Sequence, residues 1–476
     1  MGEWVKYVST RGQAPVLDFD DVLLAGLARD GGLYVPEVWP QFSSADIRKL
    51  RGLSYADTAA RVIAPFVEGC LTQEEITRLC HETYDGFAHA AVAPLKQIGP
   101  NRFVLELFHG PTLAFKDYAL QLVGRLFDHV LTKRGQHVTI VGATSGDTGS
   151  AAIEACRDRA SINIVILHPQ GRTSPVQRRQ MTTVLSDNVR NLAVDGTFDD
   201  CQDIVKALFN DHPYRDALNL SAVNSINWAR IMAQVAYYFW AAVSLGAPDR
   251  PIAFSVPTGN FGNVFAGYAA LRMGLPISRL VVGSNRNDIL TRYFNTGVMS
   301  AEGVVPTLSP SMDIQVSSNF ERLLFEFLGR DGAVTTQLLQ DFRETGRMEV
   351  PAQAHAAIGS VFSGYRFDDE ATLGLMRMLH RSTGELIDPH SAVGIGAGLE
   401  AQSGNNSLAV DSPLVCLATA HPAKFPDAVS EACGVKPALP AHLADLFERP
   451  ERMDAIPADA SHVKEYVRSF VESRLK

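Results

Sequence analysis

The sequence predicts an α/β fold of parallel sheets that are covered by helices on both faces. Short apolar segments typical of buried strands, such as "HVTIVG" (137–142), "INIVILHP" (162–169) and "PIAFSVP" (251–257), alternate with helical patterns. This alternation is typical of parallel sheets. Because ligands of such folds bind at loops after the C-terminal ends of strands, we expect the functional residues in those loops.

More than one domain is expected from the length of 476 residues, which exceeds the usual size of one hydrophobic core. Residues 1–92 carry helical patterns such as "TQEEITRLCHETY" (72–84), so we expect a small, mostly helical N-terminal domain. The segment "AVAPLKQIGPNR" (91–102) contains Pro and Gly and is the expected boundary. Residues 93–476 are then predicted to form a large α/β domain with a smaller α/β subdomain at about 117–240.

Beyond this boundary the predicted elements follow in a regular order. The first are a strand in "RFVLEL" and a helix in "AFKDYALQLVGRLFDHVLTKRG" that ends at Gly135. Helices in "TGSAAIEACRDR" and "NVFAGYAALRMG" and strands in "RLVVG" and "PLVCLATA" continue the alternation. The longest apolar tract, "AQVAYYFWAAVSLGA" (233–247), is short for a membrane span and is predicted as a buried core helix.

The composition argues against several classes of protein. The net charge of −9 disfavours nucleic acid or an anionic membrane as the main partner. The opening "MGEWVKYVSTRG" lacks the apolar core of a secretory signal. The cysteines show neither CxxC nor Cys/His metal spacing, so we expect no metal site and mostly buried thiols in a reducing compartment, the cytoplasm. The six cysteines are Cys70, Cys80, Cys156, Cys201, Cys416 and Cys433.

Two glycine-rich loops, each between a predicted strand and a predicted helix, are candidate anion sites. They are "GATSGDTGS" (142–150), which is neither a Walker A nor a GxGxxG motif, and "PTGNFGN" (257–263). Glycines allow a ligand to approach the backbone, and the free N–H groups of a helix start favour an anion. The alternative for each loop is an ordinary turn, with Thr148 as a helix cap in the first.

Lys116 lies in an apolar segment at the start of a predicted helix. Apolar neighbours and the positive end of a helix both disfavour an ammonium ion, so we expect its pKa to be lowered, as imine formation requires. The alternative is a lysine whose stem packs while its amine reaches water. A third loop, "LATAHPAKFPD" (417–427), gives a weaker signal. Its His421 and Lys424 are explained equally well as functional residues or as ordinary loop residues.

A reactive lysine, a phosphate-binding loop and a second anion-binding loop together suggest pyridoxal phosphate (PLP). This cofactor carries both an aldehyde for the lysine and a phosphate for one of the two loops. The substrate would supply the second anion.

The segment "LFHGPTLAFKD" (107–117) resembles the cofactor-lysine motif of the threonine synthase family. "SGDTG", "PTGNFGN", "SMDIQVSSNFER" (311–322), "YVSTRG" and "DGGLYVPE" (30–37) are similar to the long form of that family, and the resemblance runs from about residue 7 to at least residue 430. It implies a fold type II PLP enzyme, with two parallel or mixed-sheet α/β domains and a small helical N-terminal domain. The implied reaction converts O-phospho-L-homoserine and water to L-threonine and phosphate.

The resemblance also implies roles for residues at matching positions. Lys116 would bind the cofactor as an imine, and Thr419 would hydrogen-bond the pyridine nitrogen. The cofactor phosphate would be held by Gly259, Asn260, Phe261, Gly262 and Asn263.

Substrate-binding residues are implied in two segments. Those on the α-carboxylate would be Thr144, Ser145, Asp147 and Thr148. Many relatives have Asn in place of Asp147, and an acid there would repel the cofactor phenolate, so its role stays open. The segment "NSINWAR" implies that Asn224 and Arg230 bind the substrate phosphate, the alternative being a helix cap and a surface arginine.

Other functions remain as alternatives. A PLP-dependent serine or threonine dehydratase-type lyase would need no second phosphate site, and a non-catalytic phospho-ligand-binding homologue would not need Lys116. An NAD-dependent oxidoreductase is disfavoured, because "GIGAG" (394–398) lacks the context of a dinucleotide fingerprint. We expect a small-molecule substrate, no nucleic-acid or membrane partner, and a monomer or small homo-oligomer.

Overall fold

The structure, a computed structural model, describes residues 4–222, 225–403, 408 and 412–475. The predicted α/β class is confirmed by the order of helices and strands. The chain forms two compact units. Unit 1 contains residues 1–23, 27–109 and 225–438, and unit 2 contains residues 24–26, 110–224 and 439–476.

The helices and strands are numbered along the chain. The N-terminal part contains β1 (Tyr7–Ser9), α1 (Phe19–Ala25), β2 (Tyr34–Pro36), α2 (Ser44–Arg48), α3 (Tyr55–Val67), α4 (Gln73–Tyr84), β3 (Leu95–Gly99) and β4 (Arg102–Glu106). The next part contains α5 (Lys116–Arg134), β5 (Val138–Ala143), α6 (Asp147–Cys156), β6 (Ile162–Pro169), α7 (Pro175–Thr182), β7 (Val189–Asp195), α8 (Phe198–Asn210), α9 (His212–Ala217) and β8 (Leu220–Ser221).

The second half of unit 1 contains α10 (Trp228–Ser244), β9 (Ile252–Pro257), α11 (Gly262–Arg272), β10 (Ile277–Ser284), α12 (Ile289–Thr296), β11 (Val298–Ser300), α13 (Phe320–Phe327), α14 (Gly332–Thr345), β12 (Arg347–Glu349), α15 (Ala352–Val361), β13 (Phe362–Arg366), α16 (Asp369–Thr383), α17 (Pro389–Ser403), β14 (Leu414–Ala418) and α18 (Pro426–Cys433). The C-terminal part of the chain adds β15 (Asp454–Pro457) and α19 (Ala460–Leu475).

The main sheet of unit 1 has the order β13-β10-β9-β14-β4-β3. Neighbouring strands are parallel except β3, which runs antiparallel to β4. Helix α17 lies against this sheet through glycines. A Cβ on Gly394 would be 2.6 Å from Pro257 Cδ, and one on Gly398 would be 3.0 Å from Cys416 Sγ. Gly394 and Gly398 of "GIGAG" therefore allow α17 to pack closely against the sheet.

The N-terminal residues of unit 1 pack around Trp228, the first residue of α10. The ring of Trp228 lies 6.0 Å from Tyr7, 5.9 Å from Trp39 and 5.7 Å from Phe66, measured between centroids. The boundary predicted near residue 92 thus does not coincide with a division between the two units, and a separate N-terminal domain stays a prediction. In the part of the chain that the structure describes, no helix is both long and apolar enough to cross a membrane.

Unit 2 has a parallel sheet of order β15-β7-β6-β5-β8. Its core contains Val141 and Leu192 of the sheet together with Val463 and Val467 of α19. Unit 2 overlaps the subdomain predicted at about 117–240 but has other limits, because β15 pairs with β7 and the buried helix α10 belongs to unit 1. Pairing between strands so far apart in the chain leaves no local pattern in the sequence.

A buried ion pair provides a test of how the N-terminal segment is held in unit 1. The Glu321 carboxylate accepts hydrogen bonds from Thr10 Oγ1 at 2.6 Å and from Arg11 Nε and Nη2, both at 3.2 Å. The charged side chains are only 11% and 9% exposed. We expect Arg11→Met to lower the free energy of unfolding by about 3 kcal/mol in urea titrations, because it leaves a buried carboxylate without its counter-charge.

Arg48→Met is the matched control for this prediction. Arg48 Nη2 lies 2.5 Å from Asp249 Oδ1, but the two side chains are 49% and 51% exposed. Solvent screens such a pair, so we expect little change in stability. Equal losses in the two variants would show that burial of the Arg11–Glu321 pair is not what matters.

Candidate active site

Lys116 is the first residue of α5, and hydrogen bonds fix the turn before it. The buried Asp117 carboxylate accepts hydrogen bonds from the Thr112 N–H at 2.8 Å and the Thr112 hydroxyl at 2.6 Å. Gly110 lies so close that an added Cβ would be 2.5 Å from Asp117 Cβ. Gln180 Nε2 donates to the Thr112 carbonyl at 3.1 Å. The start of this helix, and with it Lys116, is therefore held in a defined position.

Asp147, the first residue of α6, is an acidic partner of Lys116. The lysine side chain is 11% exposed, and its Nζ donates to Asp147 Oδ2 at 3.3 Å. The other carboxylate oxygen accepts a hydrogen bond from Gln177 Nε2 at 2.9 Å. The role of Asp147 was left open by the sequence, and the structure places its carboxylate beside the lysine amine.

The rest of the 142–150 loop is shaped by Thr144. Its buried Oγ1 accepts hydrogen bonds from the N–H groups of Gly146 and Gly149, both at 2.9 Å. Gly146 has φ of 147°, and a Cβ there would be 2.5 Å from Gln177 Cδ, so a side chain does not fit. Ser145 is exposed and Thr148 is half-buried. These two hydroxyls are therefore the more accessible ones of the loop.

The 257–263 loop follows β9 in unit 1 and is held through its carbonyl groups. Gly259 O accepts from Ser317 Oγ at 2.7 Å, and Asn260 O accepts from Asn319 N at 3.1 Å. A Cβ on Gly259 would be 2.8 Å from Ser311 O. The first-turn N–H groups of α11 have no intrahelical acceptor, and its N-cap provides no side-chain cap. The loop is thus suited to bind an anion.

Phe261 and Asn263 have different parts in this loop. Phe261 has a left-handed backbone with φ of 64°, and its ring packs 5.3 Å from that of Phe320, so it anchors the loop. Asn263 Oδ1 lies 2.6 Å from Tyr237 Oη and 3.0 Å from Tyr238 Oη. Its Nδ2 is buried and has no hydrogen-bond partner among the described residues. Asn263 therefore offers a donor to a ligand.

Arg230 lies in the first turn of α10 and is 5% exposed, so the alternative of a surface arginine is wrong. Its Nε and Nη1 are buried without a hydrogen-bond partner among the residues that the structure describes. Burial lowers the pKa of Arg230 to about 10, which still leaves it charged at neutral pH. A buried charge without a counter-ion is costly, which points to an anionic ligand. Asn224, predicted beside it, lies outside the described residues.

Thr419 is connected to a buried cluster that the sequence did not indicate. The Thr419 N–H donates to Ser391 Oγ at 2.9 Å, and the Ser391 hydroxyl donates to Asp388. Asp388 Oδ2 lies 2.8 Å from His390 Nδ1, and the Ser311 N–H donates to His390 Nε2 at 3.2 Å. Because the Ser311 N–H donates to Nε2, Nδ1 is the ring nitrogen that faces Asp388. The motif "DPHS" gave no functional signal by itself.

The candidate residues are divided between the units. Lys116, Thr144, Ser145, Asp147 and Thr148 belong to unit 2, and Arg230, Thr419 and residues 259–263 belong to unit 1. The two glycine-rich loops follow strands of different sheets, β5 and β9. Both follow the C-terminal ends of parallel strands, as expected. Unit 2 thus offers an amine beside a carboxylate, and unit 1 offers donors for anions.

A family model described as "Pyridoxal-phosphate dependent enzyme" matches residues 90–341, more than half of the chain. The chain thus belongs to the class of PLP-dependent enzymes. Models described as "Threonine synthase N terminus" and "Threonine synthase, C-terminal" match residues 6–84 and 391–467. A threonine synthase of Pseudomonas aeruginosa is 56% identical over 97% of this chain and 98% of its own length. The chain is a member of the threonine synthase family.

Solved structures agree with this membership. A PLP-bound threonine synthase from Brucella melitensis is 55% identical, with a TM-score of 0.96 over 98% of this chain and 99% of its own. A threonine synthase from yeast is 38% identical, with a TM-score of 0.94 over the same shares. The expected fold type II architecture is confirmed.

The residues of this chain fit PLP. Nδ2 of Asn263 is an orphaned buried donor at the start of α11, where the first-turn N–H groups also lack intrahelical acceptors. This donor set matches a phosphate group. PLP also requires a lysine amine, and the largely buried Lys116 has one of this kind. PLP is therefore the cofactor of the chain.

Proposed function

We propose that this protein converts O-phospho-L-homoserine and water to L-threonine and phosphate, as a lyase acting on a phosphate ester in the last step of threonine biosynthesis. The observation that carries the proposal is the buried, charged Arg230, whose Nε and Nη1 lack partners among the described residues. A guanidinium binds phosphate through two parallel hydrogen bonds. A dehydratase acting on serine or threonine needs no second phosphate site, so Arg230 disfavours that alternative.

The residues have separate roles towards the cofactor. PLP supplies an aldehyde for a lysine amine and a ring that withdraws electrons from the substrate. Lys116 would bond to the aldehyde, and the Thr419 hydroxyl would face the ring nitrogen. The cofactor phosphate would be bound by the backbone N–H groups of residues 259–263 and by Asn263 Nδ2.

Towards the substrate, the Lys116 amine would remove the proton from the α-carbon and return it at the end of the reaction. Asp147, at 3.3 Å from Lys116 Nζ, would orient the amine. Ser145 and Thr148 would bind the α-carboxylate, with Thr144 supporting the loop. Arg230, with Asn224, would bind the γ-phosphate and stabilise it as it leaves. Loss of phosphate from the γ-carbon would be accompanied by loss of a proton from the β-carbon. Water would then supply a hydroxyl to the β-carbon and a proton to the γ-carbon, which balances the reaction.

A two-part experiment tests the proposal. The purified protein is reduced with borohydride, and the pyridoxyl adduct is mapped by mass spectrometry; we expect it on Lys116. An adduct on the fully buried Lys424 instead would refute the assignment of the lysine. Phosphate and threonine are then measured together with O-phospho-L-homoserine as substrate, and we expect equal amounts. Turnover of serine or threonine without release of phosphate from O-phospho-L-homoserine would favour the dehydratase-type alternative.

We also propose a cytoplasmic location and a monomer or small homo-oligomer without a nucleic-acid partner. The support for the location is that all six cysteines are free thiols, as in a reducing compartment. The net charge of −9 supports the absence of a nucleic-acid partner.

A further inference from the structure

Two fully buried residues, Asn319 and Arg322, connect two segments of unit 1 that are candidates for binding anions. These segments are the loop 259–263 and the start of α10, which carries Arg230. Both residues have 0% exposure, and both belong to "SMDIQVSSNFER", a motif to which the proposed reaction gives no role. They lie at the start of α13, one helical turn apart. Apart from one hydrogen bond between the two, their side chains donate to backbone carbonyls of segments that are distant in the sequence.

Asn319 bridges the cofactor-phosphate loop and the segment that leads to Arg230. Its side-chain Nδ2 donates to Asn260 O at 2.9 Å and to Ser225 O at 3.0 Å. Its backbone N–H donates to the same Asn260 oxygen at 3.1 Å. A Cβ on Gly262 would be 3.3 Å from Asn319 Nδ2, so the amide lies directly against the start of α11.

Arg322 completes this bridge. Its Nη1 donates to Asn319 Oδ1, which fixes the orientation of the Asn319 amide. Its Nη2 donates to Ile226 O at 2.6 Å and its Nε to Tyr34 O at 3.0 Å. Ser225 and Ile226 directly precede Asn227, whose Oδ1 caps α10 by accepting the Ala229 N–H at 2.9 Å. The start of α10, which carries Arg230, is thereby tied to the start of α11.

We propose that the Asn319–Arg322 pair is a positioning device that sets the distance between the two phosphate sites, the loop 259–263 for the cofactor and Arg230 for the substrate. The pair touches neither phosphate. It acts through the backbone of both segments, so a small shift at Asn319 displaces both sets of donors. The identity of the second phosphate as that of the substrate rests on the proposed function. The existence of two anion sites does not rest on it.

The prediction is that Asn319→Ala weakens both anion sites together. Losing the Nδ2 donor frees Ser225 O and leaves Asn260 O with only the Asn319 backbone N–H, so we expect the dissociation constant of PLP for the apoenzyme to rise about tenfold or more. The dissociation constant of inorganic phosphate for the holoenzyme, measured by calorimetry, should rise by a similar factor. In the reaction, KM should rise more than kcat falls, because ground-state binding is lost.

Asn188→Ala is the matched control. Asn188 is also buried, and its Nδ2 donates to three backbone carbonyls of unit 2, those of Cys156, Arg159 and Ile162, at 2.8, 3.2 and 2.9 Å. We expect this variant to lower Tm without changing either dissociation constant. If Asn319→Ala does not fold, Asn319→Ser replaces it, since one short hydroxyl cannot reach both carbonyls.

The proposal is overturned if the Asn319 variant lowers Tm while both dissociation constants stay at the wild-type values, because its role is then only structural. It is equally overturned if only one constant changes, because the two sites are then not coupled. Both constants can be measured in a protein that makes no threonine. A failure of the proposed reaction is therefore distinguishable from a failure of this inference.

Discussion

Replacing Lys116 by alanine is expected to lower threonine formation by more than about 10³-fold, because the variant loses the amine that moves the α-proton. It should also lose the borohydride-stable pyridoxyl adduct. The geometry that supports this expectation is the largely buried amine at the start of α5 with Asp147 Oδ2 at 3.3 Å. The measurements are single-turnover release of phosphate and mass spectrometry after reduction.

Lys133→Ala is the matched control, because Lys133 lies in the last turn of the same helix and is exposed. We expect it to retain wild-type rates and the adduct on Lys116. If Lys116→Ala retained a tenth of the activity, Lys116 could not be the group that moves the proton.

The second large effect is expected at Arg230, where binding and stability should change in opposite directions. Desolvation lowers the pKa of Arg230 from 12.5 to about 10, which corresponds to about 3 kcal/mol of disfavoured charge. For a cation with a depressed folded-state pKa, this destabilisation is fully present below about pH 10 and is relieved only above it. In phosphate-free buffer near pH 8, Arg230→Met should therefore raise the free energy of unfolding by about 1–3 kcal/mol.

The same variant should lose phosphate binding. Added phosphate stabilises the wild-type protein by mass action, and this gain in Tm should disappear in Arg230→Met. The KM for O-phospho-L-homoserine should rise by about 100-fold, the usual order for a lost charged hydrogen bond to a buried partner. Unchanged phosphate stabilisation in the variant would place the second phosphate elsewhere.

Arg322→Met provides the contrast. Burial lowers the pKa of Arg322 even further, to about 9, so desolvation alone would predict a similar stabilisation. However, Arg322 donates to Tyr34 O, Ile226 O and Asn319 Oδ1, and Met would leave these buried acceptors unsatisfied. We therefore expect Arg322→Met to destabilise the protein. If both variants changed the free energy of unfolding in the same direction, this would refute the argument that hydrogen bonding, and not burial, decides the direction of the change.

Local features of the fold could be predicted from the sequence. Strand β6 coincides with "INIVILHP", and α5 ends at Gly135, whose φ of 62° is the left-handed conformation of a helix C-cap. Both glycine-rich loops lie between a strand and a helix, as predicted. These features depend on neighbouring residues, so a single sequence shows them.

Contacts between distant residues could not be predicted in the same way. Asn319 donates to residues 59 and 94 positions away, and Ser311 to a histidine 79 positions away. The pattern of "SMDIQVSSNFER" shows polar residues but not their partners. For the same reason, the sequence did not show that β15 pairs with β7 or that the two loops follow strands of different sheets. The order of strands in a sheet depends on long-range packing.

The order of segments in unit 2 has a consequence for protein synthesis. Strand β15 and helix α19 complete the sheet and core of the unit that carries Lys116, yet they are made after the entire stretch 225–438. Domains fold as their residues leave the ribosome, so β7 keeps an unpaired edge until residues 454–457 have been made. The sheet of the lysine-bearing unit is therefore completed only after every segment of unit 1 has been made.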